Sequence, residues 1–204
     1  DAGLRLFEGF RIDAAYAYLN TRVLEANVVN LPTDNAYVVS ASIKAGDTLI
    51  LSPKHKFSIS ANYTLPLDES VGEISIGGTL IYRSSQILNY SSARFLEVPH
   101  TLLIRSAANP GGVLTNFPAG TPITNFTNGL DTGVLPPLTL LNANLNWDSV
   151  GGGPIGLSLF VTNLTNKKYN TGGGGLITGL GIDTLTVGEP RMFGARVKIR
   201  FGGK

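Results

Sequence analysis

The chain has 204 residues, of which 43% are hydrophobic and only 15% are charged, and its formal net charge is +2. Gly, Asn, Thr and Ser replace the charged residues, which gives a mixture too apolar for disorder and too poor in helix-forming patterns for a helical protein. The absence of cysteine excludes a disulfide scaffold and a thiolate metal site. Scattered basic residues argue against nucleic acid as a partner, and no stretch approaches the roughly 18 to 20 apolar residues of a membrane-spanning helix.

Six segments alternate apolar and polar residues with period two, as strands do when their two faces meet different surroundings. In chain order they cover residues 10–18, 57–65, 74–82, 141–147, 155–161 and 193–201. The second is the most regular, with Phe57, Ile59 and Ala61 on one side, whereas Phe160 interrupts the polar face of the fifth. Any half-buried antiparallel sheet shows such alternation, so further features are needed to choose a class of protein.

Strand length and aromatic placement favour a membrane. Each segment has about 10 residues, or roughly 33 Å of strand, which covers about 23 Å when tilted near 45°. That span is close to the apolar band of an outer-membrane barrel. Aromatic residues lie near the segment ends, where interfacial girdles occur: Tyr18, Tyr63, Tyr82, Trp147 and Phe201. The pattern therefore predicts antiparallel transmembrane strands.

The connections alternate in length. Short ones lie around residues 68–70 and 151–153, and long ones cover roughly residues 28–53, 86–137 and 166–189. Barrels pair short periplasmic turns with long outer loops, so we expect the first strand to run outward and the C-terminus to be periplasmic. We expect the long connections to lack secondary structure, including the flexible run Gly172 to Gly175, which has no Lys-Ser/Thr of a phosphate loop.

Six strands cannot close a membrane barrel, for which about eight are the minimum. Two open edges would leave on the order of ten backbone groups unpaired in lipid, at several kcal/mol each. We therefore expect more sequence, or further copies of the chain, to complete the sheet, and a longer parent protein is the simpler account.

Four motifs, in order, resemble the C-terminal part of the β-barrel of the TonB-dependent receptor family. They are a strand with a Tyr-rich, Thr-containing tip at residues 10–21, a Pro-x-His segment at 53–55, Asn-Leu-x-x-Lys-x-Tyr at 163–169 and Gly-x-Pro-Arg at 188–191. The resemblance covers nearly the whole chain, residues 1–204. It implies an all-β fold of about six C-terminal strands of a larger, 22-stranded transmembrane barrel with long outer loops. The plug domain, the TonB box and the earlier strands would lie outside this chain.

The resemblance also implies a function and partners. It implies a location in the bacterial outer membrane and energised uptake of a scarce nutrient such as an iron–siderophore complex. The implied partners are outer-membrane lipid, the rest of the barrel with its plug, the TonB complex through an N-terminal region, the barrel-assembly machinery, and a small-molecule ligand such as a metal chelate. Phe201 would serve as the C-terminal assembly signal, although Gly202, Gly203 and Lys204 follow it.

The candidate site residues lie in the outer loops, which carry recognition in many proteins. Those expected to contact ligand are Tyr90, Arg94, Phe95, His100, Phe117 and Phe126. We expect no catalytic residue, metal or cofactor, because there is no Gly-x-Ser-x-Gly, neither His55 nor His100 lies in a nucleophile motif, and the acidic residues are dispersed.

Basic residues on the last strand, Arg196, Lys198 and Arg200, share one face. They indicate either an anion-attracting lumen or, the simpler interpretation, a polar lining that faces water and the plug. Two other classes of protein remain open. A soluble β-sandwich binding module would pack its apolar faces into one core, and a passive porin-like channel would conduct ions without a plug.

Overall fold

In the computed structural model, the described residues are 1–26, 43–90, 100–106, 108–118, 133–176 and 182–201. Their regular structure is β-strand apart from a 3-10 turn at Val150–Gly152. The strands are β1 (Ala2–Phe7), β2 (Phe10–Tyr18), β3 (His55–Thr64), β4 (Glu73–Arg83), β5 (Gln86–Ile87), β6 (His100–Ser106), β7 (Asn109–Phe117), β8 (Val134–Leu135), β9 (Leu138–Asp148), β10 (Ile155–Thr162), β11 (Asn170–Leu176), β12 (Ile182–Val187) and β13 (Met192–Ile199). Across the described ranges, no helix is long and apolar enough to cross a bilayer.

Seven strands form one antiparallel sheet in the order β1-β2-β3-β4-β9-β10-β13. The six predicted strands are confirmed as β2, β3, β4, β9, β10 and β13. The predicted count of six omits β1, which pairs with β2 from Ala2↔Ala14 to Phe7↔Phe10. A turn at residues 8–9 joins them, and Gly9 has a φ of 80° there. Only glycine adopts that conformation without steric cost.

The register keeps the two faces distinct across the sheet. One row runs from Leu4 through Ile12, Ala61, Gly78, Ala143 and Val161 to Phe193. A neighbouring row on the opposite face runs from Asp13 through Ser60 and Thr79 to Asn142. We call these the apolar face and the polar face. Because side chains alternate with period two, a slip of one residue would exchange every row between the two faces.

Short and long connections lie at opposite ends of the sheet. Three short ones, residues 8–9, 65–72 and 149–154, lie at what we call the short-turn end, because Phe10 pairs with Tyr63 and Glu73 pairs with Asp148. β13 also ends there, with Ile199 opposite Ile155. The connections 19–54, 84–137 and 163–191 lie at the other end, the long-connection end.

The prediction that the long connections lack secondary structure is wrong. They contain a β6–β7 hairpin, a β5–β8 pair and a β11–β12 hairpin. The run Gly172 to Gly175, predicted as a flexible loop, belongs to β11, where Gly172 faces Thr186 and Gly174 faces Thr184. Glycines give no alternating pattern, but their backbone pairs normally against the β-branched residues of β12.

A small core lies at the long-connection end, not on the seven-stranded sheet. Among the described hydrophobic side chains, only Leu135 and Leu88 are buried, at 1% and 9% exposure. Leu51 donates its backbone N–H to the carbonyl of Ile87 at 2.8 Å, which ties the first long connection to β5. On the sheet itself, large apolar side chains remain exposed, as shown by Ile76 at 51%. The apolar face is therefore not covered by any other described part of the chain.

Candidate functional site

An aromatic band crosses the apolar face at the short-turn end. The rings of Phe7 and Phe10 are stacked with centroids 5.0 Å apart, and the edge of Tyr63 meets Phe7 at 5.8 Å. Further along the same end, Trp147 donates its indole N–H to the carbonyl of Val71 at 2.8 Å. Each ring of this band thus combines apolar area with a neighbouring ring or a polar partner.

A second aromatic band crosses the apolar face at the long-connection end. The hydroxyl of Tyr16 lies 2.9 Å from Nδ1 of His55, and the ring of Tyr18 lies 5.4 Å from the same imidazole. Phe57 stacks on Tyr82 across the β3–β4 pair at 4.9 Å. His55, which lies in the Pro-x-His motif, therefore takes part in an interfacial aromatic cluster.

The separation of the two bands matches the apolar thickness of a membrane. Along β3, Phe57 and Tyr63 lie six residues apart, or about 20 Å of strand. Between them the apolar face of β3 carries only Ile59 and Ala61. A face that is exposed, free of charge and bounded by aromatic residues at both ends has the properties of a lipid-contacting surface.

The polar face is neutral at its centre. Ser60 and Thr79 join their hydroxyls at 3.0 Å across the β3–β4 pair. Beside them, the amides of Asn62 and Asn144 converge over Gly77, whose added Cβ would lie 3.0 and 2.7 Å from their Oδ1 atoms. Hydroxyls and amides can hydrogen-bond water, protein backbone or an uncharged solute equally well.

Charges on the polar face lie toward the edges of the sheet. Arg11 pairs with Asp13 at 2.7 Å, beside a shallow concavity of about 370 Å³ that also touches Ser58 and Ser60. Near the other edge, Arg200 lies 3.6 Å from Asp148. Since a carboxylate offsets one of the three basic residues of the last strand, this pairing favours the polar lining over an anion-attracting surface.

Phe160, which interrupts the polar pattern of β10, has a packing role. Gly194 is its direct partner on β13, and the ring covers the space that a Cβ at Gly194 would fill. An aromatic ring over a cross-strand glycine shields backbone that the glycine leaves bare.

Two of the sequence motifs meet in one hydrogen-bonded cluster at the long-connection end. Asn163 is only 3% exposed, and its side-chain N–H groups donate to the carbonyls of Lys167 and Glu189 at 2.9 and 3.1 Å. Its Oδ1 accepts the backbone N–H of Lys167 at 2.8 Å. Arg191 completes the cluster by donating its backbone N–H to Oδ1 of Asn166 at 3.3 Å. The cluster fixes the base of the connection that carries β11 and β12.

This cluster was not among the predicted site residues. Both asparagines have a positive φ, 49° for Asn163 and 51° for Asn166. Asparagine tolerates this left-handed conformation better than other non-glycine residues. The repeated Asn within 163–169 was the signal in the sequence, but nothing local indicates that its partner lies at residue 189.

The predicted ligand-contacting residues are not brought into one site within the described residues. Tyr90 is half-buried, and its hydroxyl donates to the carbonyl of Thr48 at 2.5 Å, which links two long connections. His100 and Phe117 are register partners in the β6–β7 hairpin. Arg94, Phe95 and Phe126 lie outside the described residues.

The predicted assembly signal and the histidines complete the site inventory. Phe201 directly follows the last hydrogen-bonded residue of the sheet edge and is 86% exposed. Arg200, before it, donates its backbone N–H to the carbonyl of Pro154 at 2.9 Å. Among the described residues, no group of three His, Asp or Glu side chains is arranged to hold a metal ion.

Comparisons with known proteins identify the fold. No family model matches the sequence, and no curated protein matches it. Among solved structures, the ferric yersiniabactin uptake receptor FyuA of Yersinia pestis superposes with a TM-score of 0.59 at 14% identity, over 98% of this chain and 22% of the receptor. The ferric citrate transporter FecA gives 0.55 at 17% identity, over 95% of this chain and 21% of FecA. The ferric-catecholate import receptor Fiu of E. coli K12 gives 0.51 at 16% identity, over 96% and 19%.

The chain thus spans about a fifth of the length of each of these structures. At such low identity the likeness concerns the fold. The predicted fold class is confirmed: the seven-stranded antiparallel sheet is an unclosed segment of an outer-membrane receptor β-barrel.

Proposed function

We propose that residues 1–204 form the C-terminal part of the barrel of a TonB-dependent outer-membrane receptor. The parent protein would import a scarce nutrient, such as an iron–siderophore complex, using energy delivered by TonB. Its plug domain and remaining strands, which the family resemblance suggests number 22 in all, would pair with the open edges at β1 and β13.

One observation carries the membrane part of this proposal. The apolar face is exposed, uncharged and bounded by two aromatic bands, and the polar face opposite is rich in amides and hydroxyls. In water, an exposed face of this size would be an aggregation hazard, whereas in lipid it is the stable arrangement. The transport part is supported by three solved structures whose described roles are uptake, transport or import of ferric complexes.

The orientation follows from the two kinds of connection. We place the short-turn end in the periplasm and the long-connection end outside the cell, because outer-membrane barrels have short periplasmic turns. β13 then ends on the periplasmic side, where Phe201 would be accessible to the barrel-assembly machinery. The outer connections would contact the ligand through the aromatic and basic residues Tyr90, Arg94, Phe95, His100, Phe117 and Phe126.

A soluble β-sandwich is the weaker alternative. It requires a second sheet over the apolar face, and within the described residues the buried side chains Leu88 and Leu135 lie instead among the long connections. A passive porin-like channel shares the fold and is separated from a receptor only by its energy requirement.

Two experiments test the proposal. Membranes from cells that express the full-length parent protein should retain it after a urea wash, and it should sediment with the outer membrane; release into the soluble fraction would refute the membrane assignment. Uptake of radiolabelled ferric chelates should then depend on TonB and stop when the proton-motive force is collapsed. Uptake that continues in a TonB-deficient strain would identify a passive channel.

A further inference from the structure

The two ends of the sheet carry opposite charge. The short connections, residues 8–9, 65–72 and 149–154, contain Glu8, Asp68 and Glu69 and no Lys or Arg. At the long-connection end, the segments that adjoin the strands, residues 52–54, 163–169 and 188–191, contain four cations and one carboxylate, Glu189. We call these four cations the basic rim: Lys54, Lys167, Lys168 and Arg191.

Two members of the basic rim lie directly over aromatic rings of the apolar face. Nζ of Lys54 is 5.8 Å from the ring centroid of Tyr18, and Cζ of Arg191 is 5.6 Å from that of Phe193. Both rings are exposed, at 55% and 74%. At the short-turn end, the described rings contact one another or the backbone instead. The cations therefore stand at the boundary of the apolar face at one end.

The other two members are held on a fixed turn. Both the backbone N–H and the carbonyl of Lys167 are bonded to the buried side chain of Asn163, at 2.8 and 2.9 Å. Lys167 and Lys168 are exposed, so their ammonium groups project from an ordered part of the backbone. Cations fixed at the upper edge of an apolar band lie at the depth of lipid headgroups.

From this placement, we propose that the basic rim binds the phosphate groups of membrane lipid in the outward-facing leaflet. The inference rests on the proposed membrane function but concerns lipid and not the transported nutrient. The aromatic rings contact the upper acyl chains, while the ammonium and guanidinium groups contact phosphate oxygens. The acidic short turns would repel the same groups, which gives the barrel a preference for one orientation relative to an anionic leaflet.

Native mass spectrometry tests the proposal. The full-length protein is released from nanodiscs that contain equal parts of phosphatidylglycerol, the anionic probe, and phosphatidylcholine, and the retained lipids are counted. We expect phosphatidylglycerol to be enriched. In K54Q/K167Q/K168Q, the enrichment should fall by roughly fivefold for each lysine that contacts phosphate.

The control removes equal charge from the other face. K56Q/R196Q/K198Q changes three cations of the polar face, with Lys56 only two residues from Lys54, and should keep the enrichment. Equal loss in both variants, or no loss in either, would overturn the proposal, because binding would then follow net charge or some other surface. If the unmodified protein does not enter nanodiscs at all, the proposed membrane function fails, and this inference fails with it.

Discussion

Replacing Asn163 should loosen the long-connection end more than any other single change among the described polar residues. The side chain makes three hydrogen bonds to the backbone at Lys167 and Glu189, and it is 3% exposed. In Asn163→Ala, these backbone groups lose their partner in a place that water reaches poorly. The alanine must also adopt the φ of 49°, which disfavours any residue with an ordinary Cβ.

The size of the effect follows from these two terms. Three hydrogen bonds with a net value of about 0.5 to 1.5 kcal/mol each give a loss of about 2 to 4 kcal/mol. The left-handed backbone adds about 1 kcal/mol for Ala but not for Gly. Asn163→Gly should therefore be less damaging than Asn163→Ala by about 1 kcal/mol, even though both lose the same hydrogen bonds.

Urea unfolding of the full-length protein in lipid vesicles, followed by the gel shift between folded and unfolded barrel, measures the difference. Asn166→Ala is the matched control, because Asn166 has a similar φ of 51° but a single, longer side-chain contact of 3.3 Å to Arg191. Its loss should be about 1 to 2 kcal/mol. Equal midpoints for the Asn163 and Asn166 variants would refute the assignment of Asn163 as the centre of the cluster.

Two further predictions concern the polar face and a short turn. Gly77→Val should destabilise the barrel by about 1 to 2 kcal/mol because the amide of Asn144 must withdraw, whereas Gly78→Val, whose Cβ meets only ordinary contacts, should not; urea midpoints compare them. Hydrogen bonds from Ser70, hydroxyl first and backbone N–H second, lower the pKa of Asp68 below its ordinary 3.8. The resulting stabilisation is present above that ordinary value and is lost as the pH falls through the lowered one. An NMR titration should show the pKa of Asp68 rising in Ser70→Ala, and an unchanged value would contradict the assignment.

The sheet could be predicted from the sequence because lipid and water impose opposite demands on its two faces. In β3, each apolar residue from Phe57 to Tyr63 is followed by a polar one, and no other period fits. β1 was missed because it has six residues and ends in the consecutive apolar pair Leu6 and Phe7, beside a register shift. Short strands with a bulge lose the alternation on which the prediction depends.

The site was harder to predict than the sheet. β11 contains four consecutive glycines, which carry no periodic signal, so its pairing with β12 could not be foreseen. The contact between Asn163 and Glu189 joins residues 26 positions apart, and it exists because β10 and β13 are neighbours in the sheet. Motif spacing names the residues, but only the strand pairing shows that two motifs form one cluster.

The central claim is that the apolar face contacts lipid while the polar face contacts water. Spin labels introduced one at a time at residues 56–64 of β3, in a cysteine-free full-length protein in bilayers, test this claim most directly. Collision with oxygen, which concentrates in lipid, should peak at Phe57, Ile59 and Ala61, and collision with a water-soluble nickel chelate should peak at Ser58 and Ser60. An absence of alternation, or the opposite phase, would contradict the account.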